Sequence, residues 1–138
     1  MVTITASYDG NLRCTATHTP SGTQLATDAP KDNQGLGLSF SPTDLVATAL
    51  ATCTITTMGI VARRDGIAME GTTVTVEKHM VSEPRRRIAR LPVRIRVPGR
   101  LTPDQRRKLE AAARACPVHA SLHPDVSAPI EFVYPDLE

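Results

Sequence analysis

The sequence has no tryptophan, and only two tyrosines and two phenylalanines among its 138 residues. Large rings normally supply much of a domain's buried area, so the core has to be built from Ala, Val, Thr and Leu. That core is thin for a monomer, and part of the apolar surface is expected to lie against a second copy in a twofold homodimer. The same shortage leaves few rings to stack on bases. With a net charge of only +2, nucleic acid is not an expected partner. The opening residues, Met1-Val2-Thr3-Ile4-Thr5-Ala6, lack the basic and long apolar regions of a signal peptide, and no uncharged run approaches a membrane span. A cytoplasmic protein without membrane contact is expected. Cys14, Cys53 and Cys116 are the three cysteines. An odd count in a reducing compartment argues against a disulfide framework and leaves reactive thiols or inert buried ones.

What is present is ordinary enough to fold. The hydrophobic fraction is 41% with 22% charged residues, and the length suits one domain over residues 1–138. Val2, Ile4, Ala6 and Tyr8 alternate with polar residues, Asp9-Gly10-Asn11 punctuates, and Leu12, Cys14 and Ala16 alternate again, which predicts a hairpin. A third strand is predicted over 23–27, followed by a loop over 28–37 dense in Gly, Asp and Asn.

Ser41-Pro42-Thr43-Asp44 has the form of a helix start, with Ser as N-cap, Pro at the first helical position and Asp at N3. From Leu45 to Ala62 no residue is charged. A helix apolar on all sides belongs in the middle of a structure, and its many threonines make it too polar for a membrane span. Arg63-Arg64-Asp65-Gly66 ends it with cations in the last turn and Gly at C′. Two longer strands are predicted over 72–81 and 88–97, joined by a tip that carries Arg85-Arg86-Arg87. In the second, Val93, Ile95 and Val97 alternate with Arg94 and Arg96, so one face is buried and the other wet. Thr102-Pro103-Asp104-Gln105 is a second capping box, opening a helix whose apolar stripe is Leu109, Ala112, Ala113 and Cys116. Cys116 and Pro117 then read as N-cap and N1 of a short helix that ends before His123-Pro124. Ile130, Phe132 and Tyr134 form a last strand. The fold class is α+β.

Two cysteines stand out. Cys53 lies in the middle of the apolar helix, where a thiol is either a small inert hydrophobe or a nucleophile. Cys116 lies at a helix start, among free N–H groups that favour a thiolate. Together they have the form of a peroxidatic and resolving pair. Cys14 sits among alternating strand residues and packs there or senses oxidation. Cys116, His119 and His123 fall near one face of a short helix but lack a fourth ligand, so no metal and no cofactor is expected. His119 is a polar neighbour of the thiol or a surface residue. The Arg85-Arg86-Arg87 run with Arg90 is a solvated tip or a dock for an acidic reductase.

On these residues the sequence resembles the OsmC/Ohr family of thiol-dependent organic hydroperoxide reductases. The resemblance rests on Ser41-Pro42-Thr43-Asp44-Leu45, on Ala49-Leu50-Ala51-Thr52-Cys53-Thr54 and on Ala115-Cys116-Pro117-Val118, with Thr27-Asp28-Ala29-Pro30 and Gly35 upstream. It implies antiparallel sheets wrapped around buried central helices in an intertwined homodimer. It further implies that Cys53 attacks an organic hydroperoxide and that Cys116 resolves the sulfenic acid as a disulfide. The reductant would be a small dithiol such as dihydrolipoamide, or a thioredoxin-like protein. The resemblance implies that the family's early Arg is Arg13, the only Arg before the central helix, which in its strand is either catalytic or an exposed surface residue. It also implies that the family's carboxylate, displaced here by one position because Thr43 follows the proline, is Asp44. On an ideal helix Asp44 and Cys53 are about 13 Å apart along the axis and on opposite faces. Asp44 thus reaches a Cys53 only through a dimer partner or a break in the helix, and is otherwise a helix cap. A non-catalytic redox sensor or binder of lipid-like molecules on the same fold is the rival reading. Metal-dependent hydrolysis through Cys116, His119 and His123 is a third.

Overall fold

The computed structural model describes residues 1–137. Its backbone gathers into two compact units, residues 1–46 and 47–138, and each is described by itself.

In the first unit β1 (Ile4–Gly10), β2 (Arg13–His18) and β3 (Gln24–Asp28) form an antiparallel meander in that order. Asn11 and Leu12 both take positive φ, 56° and 62°, the two-residue turn that matches strand twist in a hairpin. The register sets Cys14 opposite Tyr8 and Thr27, and Arg13 opposite Asp28. Alternation in β1 predicts one buried face, but Ile4 and Tyr8 are 58% and 67% exposed. After β3 the chain is tied back through Asp28, whose N–H donates to Phe40 O at 3.0 Å and whose Oδ2 accepts from Leu38 N at 3.0 Å. Gly35 runs so close to Ala29 that an added Cβ would stand 1.8 Å from its carbonyl oxygen, so no side chain fits there.

The helix α1 (Pro42–Asp65) begins as its sequence predicts. Asp44 N donates to Ser41 Oγ at 3.1 Å and Ser41 N donates to Asp44 Oδ2 at 2.9 Å, a reciprocal capping box with Pro at N1. Gly66, at φ 65°, ends it. Ile67 N reaches back to Ala62 O at 2.8 Å, which is the Schellman arrangement, and both residues are buried.

In the second unit the buried residues of α1 are Ala47, Leu50, Thr54, Met58 and Ala62, a row at helical spacing. The expectation of burial on all sides is not met within one chain, since Ile60 is 64% exposed. By length and mean hydropathy α1 could also cross a membrane, at 1.8 over its most apolar stretch, contrary to the reading of its threonines. A fully buried Leu50 and Met58 are equally what the core helix of a globular domain displays.

The predicted strand over 72–81 divides into β4 (Thr73–Val76) and β5 (His79–Val81), and that over 88–97 into β6 (Arg87–Arg90) and β7 (Val93–Arg96). Pro92 lacks an N–H and interrupts the ladder, and a bulge lies between His79 and Met80. As a result β5 pairs with β6 in a two-stranded sheet, while β4, β7 and β8 (Ile130–Val133) form a second one in the order β4-β7-β8. The expectation of antiparallel sheets throughout is corrected here: β7 and β8 run parallel. The intervening α2 (Pro103–Arg114) and α3 (Pro117–Ser121) supply the long crossover that a parallel pair requires. Val93, Ile95 and Val97 are buried while Arg94 and Arg96 are exposed, so this sheet is one-sided as predicted. The α2 capping box is complete, with Gln105 N donating to Thr102 Oγ1 at 3.1 Å and Thr102 N to Gln105 Oε1 at 3.0 Å. Leu109, Ala112, Ala113 and Cys116 are its buried stripe.

Candidate functional site

Cys53 is held in the fourth turn of α1, half-buried, with fully buried Thr54 beside it. Cys116 is placed by a break in the chain. Ala115 N still bonds back to Ala111 O and Ala112 O at 3.1 Å. Pro117 cannot continue that helix and forces the residue before it out of the helical region. Cys116 accordingly sits at φ −58°, ψ 126° as N-cap of α3, fully buried. The first free amides of α3, Val118 and His119, are thereby brought beside sulfur. All three cysteines are free thiols.

The thiols of Cys53 and Cys116 act on each other's acidity. Their acidities diverge. Burial pushes Cys53 up, but the Cys116 thiol, the Val118 N–H and the Thr57 hydroxyl together outweigh it and hold Cys53 below the ordinary thiol value. Burial pushes Cys116 up, and its bond to Cys53 pushes it further. The amides of His119 and Val118 and the Thr54 hydroxyl offset this only in part. The helix start predicts Cys116 as the thiolate; in the structure it is Cys53 that is favoured. The reason is local: α3 has five residues, Cys116 makes no full capping bond, and complete burial disfavours charge.

The hydroxyls are not singled out by the sequence. Thr57 Oγ1 lies 3.9 Å from Cys53 Sγ and donates to Cys53 O at 2.8 Å. Thr54 Oγ1 donates to Leu50 O at 2.6 Å. The i+4 spacing of Thr57 from Cys53 is the signal that could have found it. The His119 imidazole lies against Ala128 O at 3.2 Å, so it is the backbone of His119, not its ring, that acts on the thiol. His123 Nδ1 accepts from Asp125 N at 3.0 Å. Among the described residues no group of three or more His, Cys, Asp or Glu is gathered to hold a metal.

Arg13 and Asp44 belong to the first unit. Arg13 Nε stands 3.8 Å from Oδ1 of Asp28, which is 2% exposed; neither atom has a hydrogen-bond partner, so this is an ion pair without a hydrogen bond. The Asp44 carboxylate closes the α1 capping box. Cys14, in β2, is half-buried.

An α+β chain in which two thiols shift each other's acidity in opposite directions defines a dithiol protein. Residues 34–131 match the family model described as OsmC-like protein. The chain belongs to the OsmC-like family. A provisionally named osmotic stress induced and detoxification response protein from Psychrobacter arcticus is 41% identical, with 96% of each chain covered and a TM-score of 0.89. An organic hydroperoxide resistance protein, OsmC, from Legionella pneumophila shares the fold at 21% identity and a TM-score of 0.72, with 96% of each chain covered. A provisionally named organic hydroperoxide resistance protein from Vibrio cholerae, with captopril bound in one of its active sites, shares it at 18% identity and 0.75, covering 96% of this chain and 90% of that one. Among curated proteins none is similar enough in sequence to match.

Proposed function

We propose that the protein is a cysteine-dependent peroxidase that reduces organic hydroperoxides. The observation that carries this reading is that Cys53 and Cys116 shift each other's acidity in opposite directions, Cys53 down and Cys116 up. The Cys53 thiolate attacks the terminal peroxide oxygen, the O–O bond breaks, and the alkoxide takes up a proton to leave as alcohol. Cys53 is then a sulfenic acid. The Cys116 sulfur attacks it, a disulfide forms, and hydroxide leaves with the thiol proton as water. A small dithiol or thioredoxin-like protein returns both thiols. An arrangement with the acidic thiol half-buried and the neutral one fully buried suits this order, because the first must meet substrate and the second only its neighbour.

The names of the Legionella and Vibrio proteins support organic hydroperoxides as the substrate class. Homodimerisation and a cytoplasmic location complete the reading. The first is supported by the open flank of α1, where Ile60 is 64% exposed. In this proposal the cysteines perform the chemistry, and Arg13 and Asp44 act through the ion pair with Asp28 and the α1 capping box.

The test is intact mass and thiol count after one equivalent of cumene hydroperoxide, beside hydrogen peroxide and the Cys53→Ser and Cys116→Ser variants. Loss of two thiols in the wild type, with sulfenic acid trapped only in Cys116→Ser, is the expected result. A Cys53 that stays reduced in folded protein ends the peroxidase reading.

A further inference from the structure

The hairpin over residues 77–90, built on β5 and β6, takes no part in the thiol chemistry, yet it holds the whole positive excess of the chain. It carries Lys78, Arg85, Arg86, Arg87 and Arg90 against Glu77 and Glu83, a net +3 with His79 neutral, which leaves the remaining residues at −1. Residues 82–86 and Arg90 are exposed, while Arg87 folds onto its own strand and donates through Nη1 to Ile88 O at 3.2 Å. Cations gathered on one small hairpin repel one another, and a partner of opposite sign relieves that repulsion. The hairpin has no Phe, Tyr or Trp to stack on bases. None of its large apolar side chains is exposed to enter a bilayer. The anion that fits it is an acidic protein surface.

The base of the hairpin is bonded to the segment that backs the resolving cysteine. Ser127 N donates to Ala89 O at 3.0 Å and Leu91 N to Ser127 O at 2.8 Å. The carbonyl of the next residue, Ala128, holds the His119 imidazole of α3 at 3.2 Å, and α3 starts at its N-cap Cys116. Arg85 lies at most about 17 Å of extended chain beyond Arg90. That is less than the width of a standard protein interface, roughly 30 Å per side, so a protein seated on the tip can extend over the hairpin base toward α3.

We propose that the 77–90 hairpin docks an acidic protein dithiol that reduces the oxidised Cys53–Cys116 pair, a role that rests on the peroxidase reading. Each turnover leaves a disulfide that two electrons must reopen. A thiolate of the partner attacks Cys53, the less buried sulfur; a mixed disulfide forms, and Cys116 leaves and takes up a proton. The partner's second thiolate then attacks its own sulfur in the mixed disulfide, Cys53 leaves and is protonated in turn, and the partner departs as a disulfide. The cationic hairpin speeds the encounter and leaves the exchange itself unchanged.

The experiment closes the disulfide with diamide, which needs no peroxide, and follows its reduction by an acidic thioredoxin and by dihydrolipoamide, a small uncharged dithiol. Released thiols are alkylated and counted by intact mass. Reduction by thioredoxin is expected to slow about tenfold or more as salt rises from about 0.01 M to about 1 M. At low salt Arg85→Glu and Arg90→Glu each slow it about fivefold, whereas Arg85→Lys and Arg90→Lys stay within about twofold of wild type. Arg100→Glu, an equal change of charge beyond the far end of β7, also stays within about twofold. Dihydrolipoamide has no charge to steer and reduces every variant within about twofold of wild type at either salt.

Salt-independent reduction by thioredoxin, no reduction by it, or an Arg100→Glu as slow as Arg85→Glu overturns the assignment. So does equal slowing with dihydrolipoamide, which would mean a damaged site. Cosedimentation with phosphatidylserine vesicles that needs Arg85 and Arg90, while reduction by thioredoxin ignores them, assigns the hairpin to a lipid surface instead. The two readings fail separately. If cumene hydroperoxide leaves the thiols reduced while diamide joins them and reduction follows the two arginines, the peroxidase reading fails and the docking surface stands. If peroxide closes the disulfide and its reduction ignores both arginines, the peroxidase reading stands and the docking surface falls.

Discussion

Cys53 and Cys116 set each other's acidity in opposite directions, Cys116 as donor and Cys53 as acceptor. The Cys116 thiol donates and so lowers Cys53; Cys53, by accepting, holds the proton on Cys116 and raises it. A pair of identical thiols is thereby given an order. Removing one member should move the survivor in a known direction. Cys116→Ala takes a donor from Cys53, so its thiolate midpoint rises toward the ordinary value of about 8.5. Cys53→Ala relieves Cys116, whose midpoint falls. Thiolate absorbance against pH, read on both variants, checks the two signs. Movement in the same direction would contradict these donor and acceptor roles.

Asp44 offers a clean separation of charge from geometry. Its carboxylate accepts from Ser41 N at 2.9 Å, and an amide oxygen can accept the same bond. Asp44→Asn is expected to leave thermal stability and the rate of peroxide attack close to wild type. Asp44→Ala opens the capping box and costs about 1 kcal/mol, read as a lower midpoint in urea. An Asp44→Asn variant that is fully stable but slow with peroxide would show that the charge itself serves the chemistry.

The helix boundaries are readable in the sequence because their causes are local. Ser41 with Asp44, Thr102 with Gln105, Pro117 after Cys116 and Gly66 after the last turn of α1 each settle within three or four residues. The parallel pairing of β7 with β8 is not readable, since it depends on which distant strand arrives after α2 and α3. The division of both long strands around Pro92 does have a local signal, the missing N–H of that residue, but alternation on either side of it masks the break. At the site the two cysteines are legible by type and spacing. Their acidity order is not, because it depends on burial and on where Thr54, Thr57 and two amides of α3 fall in space. Asp28, buried and bonded to Leu38 N, has no feature in its own residue type to mark it as the tie of its loop.

Tyr134 carries a stability prediction with a sign. Burial and the bond it donates to Glu110 Oε2 at 2.7 Å, together with that carboxylate's charge, push its pKa well above the ordinary tyrosine value. The folded protein therefore keeps a proton that the unfolded chain gives up above about pH 10. The resulting stabilisation is complete below that pH and is lost as pH rises through the folded value. Tyr134→Phe is expected to cost about 1 kcal/mol at neutral pH, the usual worth of such a bond, and to flatten the alkaline decline. Urea midpoints of both proteins from about pH 7 to about pH 11 decide it, a range that spans the unfolded tyrosine value. A variant whose decline is as steep as wild type would assign that limb to another group.

The open flank of α1 makes the last prediction, and it concerns assembly. Leu50 and Ile60 lie on the same helix, yet one is fully buried and the other 64% exposed. If a second copy covers that flank, the two positions differ in what they report. Leu50→Ala leaves a cavity within the chain and costs about 2–5 kcal/mol at any protein concentration. Ile60→Arg places a charge where an apolar partner surface would lie, and its cost appears as dissociation. Sedimentation velocity is expected to give a dimer for wild type and for Leu50→Ala, and a monomer for Ile60→Arg over the same concentration range. Thermal midpoints that depend on concentration in the wild type and in Leu50→Ala, but not in Ile60→Arg, would connect dimerisation to folding. A wild type that sediments as a monomer, or an Ile60→Arg that dimerises as tightly as wild type, rejects this flank as the interface.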